Sequence, residues 1–177
     1  FISRGDTVGL LINSPYKKPG TYTRPDVALA VAHLCFEAGA KDVCCLKGES
    51  DDYWTRSPQF EKHRKLIARL KNDESDHKSI DIPKGKILKE ANILKGFLDC
   101  DKVVNIPIVK NHGEIRMTCT LKNTMGVSAF STNLKFHTGP NLISGAVKSI
   151  FNYYHDMAHL AQCIADLNLV RAFDLYV

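Results

Sequence analysis

Two clusters of basic and amide side chains stand in the middle of the chain, each close to an apolar segment. The first is Lys110-Asn111-His112, which follows a strand-like run and a proline, and the second is Lys122-Asn123. Ammonium and imidazole groups suit a phosphate or a carboxylate, because they supply positive charge and hydrogen-bond donors. We therefore predict that Lys110, His112 and Lys122 carry the chemistry of a site for a small anionic ligand. The alternative is that they are exposed loop residues that never converge.

Further polar residues at strand ends complete the predicted ligand site. Asn13 and Asn105 each close an apolar run shortly before a proline, Thr118 offers a hydroxyl, and Gly126 would let backbone approach a ligand. Asparagine also ends strands for reasons of local turn chemistry, so that alternative stays open for Asn13 and Asn105. The predicted ligand-binding residues are Asn13, Arg24, Asn105, Thr118, Asn123 and Gly126.

Histidines in the second half of the chain suggest a metal site as a separate hypothesis. His155 and His159 are four residues apart, which places both imidazoles on one face of a helix, as in zinc sites. Asp156 stands where such sites usually have a glutamate, and no third ligand follows at a fixed spacing. His137 or His112 is the additional ligand that we consider. The plainer interpretation is an exposed or partly buried helix.

The established motifs of nucleophilic and nucleotide-binding enzymes are missing from the sequence. It contains no G-x-S-x-G, no Walker P-loop and no G-x-G-x-x-G after the first strand. It also contains no C-x-x-C, so no cysteine motif for an iron–sulfur cluster is evident. The cofactor is therefore unknown from the sequence, and whether the site catalyses a reaction is left open.

Composition limits the class of protein. The chain has 177 residues and a net charge of +5, with basic residues interleaved among acidic ones, so we predict no nucleic-acid partner. No apolar run is long enough for a membrane span. Six cysteines in apolar surroundings indicate reduced thiols and a cytoplasmic protein, although an exported form would need only a signal outside this sequence. We expect residues 1–177 to form a single α/β domain that is a fragment of a longer protein.

The elements that must position these residues alternate between strand and helix. An apolar run at residues 7–12 is followed by a helix that Thr23 is predicted to cap and Gly39 to end, and then by an apolar strand at residues 42–46. Residues 128–140 are predicted to be a loop, and residues 141–167 a long helix. We predict a three-layer α/β domain with a mainly parallel sheet and helices on both faces. Its site would lie at the carboxyl ends of the strands.

The order of these segments resembles the family called domain of unknown function 362. The most distinctive similarities are Cys100-Asp-Lys-Val-Val-Asn-Ile-Pro-Ile-Val-Lys-Asn-His112 and Leu121-Lys-Asn-Thr-Met-Gly-Val127, with weaker ones at residues 5–13, 23–26, 37–43, 137 and 164–168. Some members of that family carry ferredoxin-like iron–sulfur modules. The resemblance therefore implies an alternative function, a redox-associated accessory module that works with a ferredoxin-like partner. From the residues themselves, we favour the anion site.

Overall fold

The structure is a computed structural model that describes residues 1–15, 17–113, 115–138 and 153–177. Its centre is a sheet of five parallel strands in the order β3-β2-β1-β6-β9. Two hairpins stand outside this sheet, β4 with β5 and β7 with β8. The strands are β1 (Thr7–Ile12), β2 (Asp42–Cys45), β3 (Lys71–Asn72), β4 (His77–Asp81), β5 (Glu90–Leu94), β6 (Lys102–Ile106), β7 (Lys110–His112), β8 (Arg116–Thr118) and β9 (Leu175–Tyr176).

Helices cover both faces of the sheet, and alternate residues of β1 show why. Leu10 and Ile12 pack in one apolar cluster with Ala28 and Leu29, whereas Leu11 packs in the other with Leu160. A strand that is buried on both sides must be apolar along its whole length, as residues 8–12 are. The helices are α1 (Pro25–Glu37), α2 (Asp51–Trp54), α3 (Phe60–Ile67), α4 (Lys95–Asp99), α5 (Thr120–Asn123), α6 (Phe130–Thr138) and α7 (Tyr153–Leu167), with a 3-10 turn at Thr124–Val127. The predicted three-layer, mainly parallel α/β architecture is confirmed.

The strand order places a switch point between β1 and β6. From β1 the chain adds β2 and then β3 on one side, whereas β6 and then β9 extend the sheet on the other side. Loops that leave β1 and β6 therefore diverge, and a crevice opens outside the carboxyl ends of these two strands. This is the edge of the sheet where the sequence predicts the ligand site.

Two local expectations from the sequence are wrong. Thr23 does not cap α1, since its hydroxyl donates to the carbonyl of Ile106 at 2.8 Å and so ties the start of the helix to the end of β6. Residues 128–140 are not all loop, because α6 occupies Phe130–Thr138. Buried Phe136 anchors α6 to the core, and the hydroxyl of buried Thr132 accepts the backbone N–H of Asn92 at 2.9 Å. The predicted long helix is observed as α7 from residue 153, and residues 139–152 lie outside the described chain.

Candidate functional site

A cavity of about 290 Å³ lies at the switch point, outside the carboxyl ends of β1, β2 and β6. Most of the predicted site residues come together there, although they are spread over more than a hundred positions of the chain. Asn13 follows β1 directly, Lys110 opens β7, and Lys122 lies in α5. The lining residues are Asn13, Pro15, Lys47, Lys110, His112, Thr118, Lys122, Asn123, Met125, Gly126 and Asn133.

Positive charge dominates the described lining of this cavity. Lys47, Lys110 and Lys122 all contribute to it, and no aspartate or glutamate is among the described lining residues. Burial lowers the pKa of Lys110, and the ammonium groups of Lys122 and Lys47 lower that pKa further. Loss of water around its ammonium group also lowers the pKa of Lys47, although Glu49 partly opposes this effect. Lys47 and Lys122 are therefore close enough to Lys110 for their ammonium groups to repel it.

The hairpin of β7 and β8 presents three of these residues on one face. Lys110 is paired with Thr118 across the hairpin, and His112 follows Lys110 by two positions. Because side chains alternate along a strand and paired residues share a face, Lys110, His112 and Thr118 point to the same side. That side is the cavity, which all three residues line.

The ammonium group of Lys110 is held in place by oxygen atoms from the β1 side of the site. Its Nζ donates to Oδ1 of Asn13 at 3.3 Å and to the backbone carbonyl of Thr21. These bonds leave the charge in place while restricting the long side chain to one position. A ligand would therefore meet a cation whose conformational entropy is already reduced.

The hydroxyl of Thr118 is the unusual polar group of the site. Thr118 is only 3% exposed and lines the cavity, yet its Oγ1 has no hydrogen-bond partner within the described part of the chain. A buried hydroxyl without a partner costs about 1–3 kcal/mol. A bound ligand that offers a donor or an acceptor would remove this cost.

His112 has a defined tautomer when it is neutral. The backbone N–H of Ile115 donates to Nδ1 of His112 at 3.4 Å, so the proton of the neutral ring is on Nε2. The imidazole is half-buried and lines the same cavity as Lys110. Its neutral ring therefore brings one donor and one acceptor nitrogen to the site.

Three asparagines link the strands beneath the site. Nδ2 of Asn123 donates to Oδ1 of Asn105 at 2.7 Å and to the carbonyl of Leu11 at 3.0 Å, and Oδ1 of Asn123 accepts from Asn13 at 3.1 Å. Asn105 is fully buried, is not among the lining residues, and donates to the carbonyl of Thr120 at 3.0 Å. The structure therefore places Asn105 in the support of α5, whereas Asn13 and Asn123 also line the cavity.

Gly126 lines the cavity, and its missing side chain leaves room for a lysine. A Cβ at Gly126 would stand 2.9 Å from Cδ of Lys47 and 3.3 Å from Cδ1 of Leu11. The sequence suggests that this glycine lets backbone approach a ligand. The contacts show a second reason for it, which is to let Lys47 reach the cavity.

The remaining predicted site residues lie elsewhere. Arg24 is exposed and forms an ion pair with Asp26 at 2.8 Å, away from the cavity lining. His137 is exposed at the end of α6, and Nε2 of His159 lies 3.1 Å from the carbonyl of Lys135, beside a different cavity. The side chain of His155 lies outside the described part of the chain. Within the described residues, no three His, Cys, Asp or Glu side chains come together as a metal site requires.

Comparison with known proteins now gives the family. The model of the family described as domain of unknown function (DUF362) matches residues 8–177. The chain belongs to the DUF362 family. The predicted resemblance is therefore confirmed, and both lysine clusters of this DUF362 protein fall within the matched region.

A named relative covers part of the DUF362 chain. Thylakoid-associated protein sll1697 of Synechocystis sp. (strain ATCC 27184 / PCC 6803 / Kazusa) is 29% identical over 137 residues, which is 71% of this chain and 40% of that protein. The chain thus spans less than half of the relative's length. None of the helices that the structure describes is both long enough and apolar enough to cross a bilayer.

The charged lining residue of this DUF362 site that the sequence analysis missed is Lys47, and Glu49 lies close to it on the same loop. Both follow β2, so the strand-end argument that identified Asn13 also applies to them. Glu49 is 7% exposed, and the hydroxyl of Ser14 donates to its Oε1 at 2.7 Å. Burial raises the pKa of Glu49 to about 7, although Ser14, Lys47 and Arg56 oppose this rise. A carboxyl group that titrates near neutrality thus lies beside the loop that carries Lys47.

The end of α7 anchors the part of the DUF362 site that α5 provides. Nδ2 of Asn168 donates to the carbonyl of Leu121 at 3.0 Å, and Oδ1 of Asn168 accepts from the hydroxyl of Thr124 at 2.8 Å. These bonds fix the residues on either side of Lys122 and Asn123 in the sequence, while the asparagine network holds the side chain of Asn123. The segment that presents Lys122 is therefore fixed on both sides.

Proposed function

We propose that this protein binds a small anionic ligand, bearing a phosphate or a carboxylate group, in the cavity at the switch point. One observation carries the proposal. Lys47, Lys110 and Lys122 come from three separate segments and meet so closely that two of them lower the pKa of the third. Mutual repulsion opposes the clustering of these ammonium groups, and an anion between them would turn it into attraction.

The other lining residues have roles that fit such a ligand. Asn13 and Asn123 hold Lys110 and α5 in place and present amide groups at the cavity, and Thr118 offers its hydroxyl. His112 is the proton donor or acceptor of the proposed site, since a neutral imidazole has one nitrogen that donates and one that accepts. If the site catalyses a reaction, Lys110 and Lys122 would stabilise the negative charge that develops on the ligand in the transition state.

The test is calorimetric titration with inorganic phosphate and with citrate, followed by lysine variants. Lys110→Met and Lys122→Met should weaken binding at least about tenfold, because each removes one charge from the site. Lys41→Met is the matched control, since Lys41 is exposed before β2 at the opposite end of the strands. Circular dichroism should show the same fold in all three variants.

Two results would count against this function. The first is that the unmodified protein binds neither anion at concentrations up to ~10 mM. The second is that both site variants bind as well as Lys41→Met does. Unfolding of both site variants would show that the lysines are structural and would equally remove the support for a ligand site.

The compartment is part of the proposal as well. All six cysteines are free, and Cys35, Cys45, Cys100 and Cys163 are buried. Reduced thiols in the core favour a reducing compartment such as the cytoplasm. An association with a ferredoxin-like module remains a prediction, because it depends on the family resemblance alone.

A further inference from the structure

A second depression adjoins the cavity and extends the space for a ligand. It is a groove of about 310 Å³ that follows β7 and faces the loop after β1. Its lining residues are Thr21, Lys110, Asn111, His112 and Gly113. Lys110 and His112 line both spaces, so a ligand held beside them can occupy the cavity and the groove together.

The cavity alone is larger than an inorganic anion needs. A water molecule takes up about 30 Å³ in the liquid, so a space of this size has room for roughly ten. Free phosphate would fill only part of it and would leave water in the remainder. The dimensions therefore favour an anion that is attached to an organic body.

The charge of the site favours a phosphate monoester over a carboxylate. A phosphate monoester carries a charge of about −1.5 to −2 at pH 7, whereas one carboxylate carries −1. Lys47 and Lys122 act on Lys110 strongly enough to lower its pKa, so the cavity presents a cluster of charge rather than one isolated cation. A dianion offsets such a cluster better than a monoanion does.

The lining of the groove indicates the nature of the organic body. Asn111 contributes an amide to the groove, His112 contributes an imidazole, and Thr21 contributes backbone and hydroxyl atoms. None of the five lining residues has an apolar side chain. An apolar body would displace water from this polar surface without replacing its hydrogen bonds, whereas hydroxyl groups can donate to it and accept from it. The hydroxyl of Thr118 in the cavity offers one more such partner.

We infer that the ligand is a phosphate monoester with a hydroxyl-bearing organic body, of the kind that sugar phosphates represent. The phosphate group lies among Lys47, Lys110 and Lys122, and the body passes His112 into the groove along β7. This inference rests on the proposed function, because it specifies the ligand of the same cavity.

Calorimetric titration with a matched set of probes tests the inference. Ribose 5-phosphate, glucose 6-phosphate and glycerol 3-phosphate supply three hydroxylated bodies, butyl phosphate an apolar body, ribonate a carboxylate, and inorganic phosphate no body. The best of the three hydroxylated esters should bind at least about tenfold more tightly than inorganic phosphate, butyl phosphate and ribonate. Lys122→Met should weaken every phosphate probe.

Asn111→Ala separates the groove from the lysine cluster. Asn111 is exposed and lines the groove but not the cavity, so its truncation should leave the fold and the lysine cluster intact. This variant should reduce the affinity for the best ester about three- to tenfold and leave that for inorganic phosphate unchanged. Retained phosphate binding then shows that the variant is folded.

The outcomes distinguish this inference from the proposed function. If inorganic phosphate binds as tightly as every hydroxylated ester and depends on Lys122, the inference is overturned and the anion site stands. If butyl phosphate binds as tightly as the best ester, the inference of a hydroxylated body is overturned. If ribonate binds as tightly as the best ester, the inference of a phosphate dianion is overturned. If no probe binds, both the inference and the proposed function fail.

Discussion

Asn123 donates a hydrogen bond to Oδ1 of Asn105 at 2.7 Å and so joins α5 to strand β6. The same amide nitrogen reaches the carbonyl of Leu11 at 3.0 Å in β1. One side chain therefore links β1 and β6, the two strands on either side of the switch point. The position of Lys122, the preceding residue, depends on this link.

Asn123→Ala should destabilise the protein by roughly 2–4 kcal/mol, because it leaves three buried polar groups without their partner. These are the carbonyl of Leu11, Oδ1 of Asn105 and Nδ2 of Asn13. Urea unfolding followed by the fluorescence of buried Trp54 would measure the change. Asn111→Ala, at an exposed asparagine, should stay within about 0.5 kcal/mol of the unmodified protein. Equal stabilities for the two variants would refute the structural role of Asn123.

Gly126→Ala should reduce ligand affinity clearly while reducing the stability of the fold only slightly. The added Cβ would press on the stem of Lys47, which is flexible enough to move, so the loss of stability should remain below about 1 kcal/mol. The ammonium group of Lys47 would move with its stem, and phosphate affinity should fall roughly three- to tenfold.

A double-mutant cycle tests whether this effect passes through Lys47. In a Lys47→Met background, Gly126→Ala should cause little further loss of affinity, because the displaced charge is already missing. Additive losses would instead mean that the glycine contacts the ligand itself, as the sequence suggests.

Thr118→Val should lower ligand affinity without lowering the stability of the unliganded protein. Valine keeps the shape of the side chain and removes a buried hydroxyl that has no partner among the described residues, so the unliganded protein should be unchanged or up to about 1 kcal/mol more stable. Affinity for the best phosphate ester should fall, because the ligand can no longer form a hydrogen bond with the hydroxyl of Thr118. Thermal unfolding with and without the ester would measure both quantities, and a clear loss of stability without ligand would contradict the assignment.

Glu49→Gln should change the pH dependence of stability. The folded protein raises the pKa of Glu49 from its ordinary 4.5 to about 7, so it holds the proton more tightly than the unfolded chain does. The resulting penalty is absent below pH 4.5, grows between pH 4.5 and 7, and is complete above pH 7. Glutamine can still accept the hydrogen bond of Ser14 and carries no charge to desolvate.

The variant should therefore be about 1–3 kcal/mol more stable than the unmodified protein at pH 8 and nearly equal to it at pH 4.5. Urea titrations at these two pH values give the comparison. Glu61→Gln, at an exposed position of α3, is the matched control and should show no such difference. A Glu49→Gln protein that is less stable at pH 8 would mean that the carboxylate forms an attractive interaction that outweighs its burial.

The sequence predicts the sheet and the edge at which the site lies, because both depend on local patterns. A continuous apolar run such as residues 8–12 marks a strand that is buried on both faces, and polar residues after such runs mark the carboxyl ends. Lys110 and Lys122 were found in this way. Which strand ends meet depends on the strand order, which no short segment determines.

The features that were missed depend on contacts distant in sequence. Lys47 reaches the cavity only because Gly126, far along the chain, leaves space for it. In α1, Val27 and Leu34 match the apolar periodicity but are 40% and 60% exposed, while Ala28 and Ala32 are buried against the sheet. Small residues let the helix approach the strands closely, and that requirement overrides hydrophobicity. The helix α6 was missed because serine, threonine and asparagine predominate in it.

Anion binding should be coupled to proton uptake through Lys110. Without ligand, burial and the charges of Lys122 and Lys47 lower the pKa of Lys110, so this group loses its proton at a lower pH than an ordinary lysine does. A bound anion favours the ammonium form and raises this pKa again. Affinity for a phosphate ester should therefore rise as the ester becomes a dianion near pH 6 and fall as pH rises through the pKa of free Lys110.

Calorimetry at pH 9 in buffers of different ionisation enthalpy measures the protons taken up on binding. Lys110→Arg is the matched variant, because arginine keeps the charge and remains protonated at this pH. It should reduce the proton uptake while retaining more affinity than Lys110→Met does. The part that remains would come from Lys47, whose pKa is also lowered by burial. A binding enthalpy that does not vary with the buffer at pH 9 or at any higher pH up to 10.5, the ordinary pKa of lysine, would show that binding leaves the protonation of the cluster unchanged, and the repulsion argument would then lose its basis.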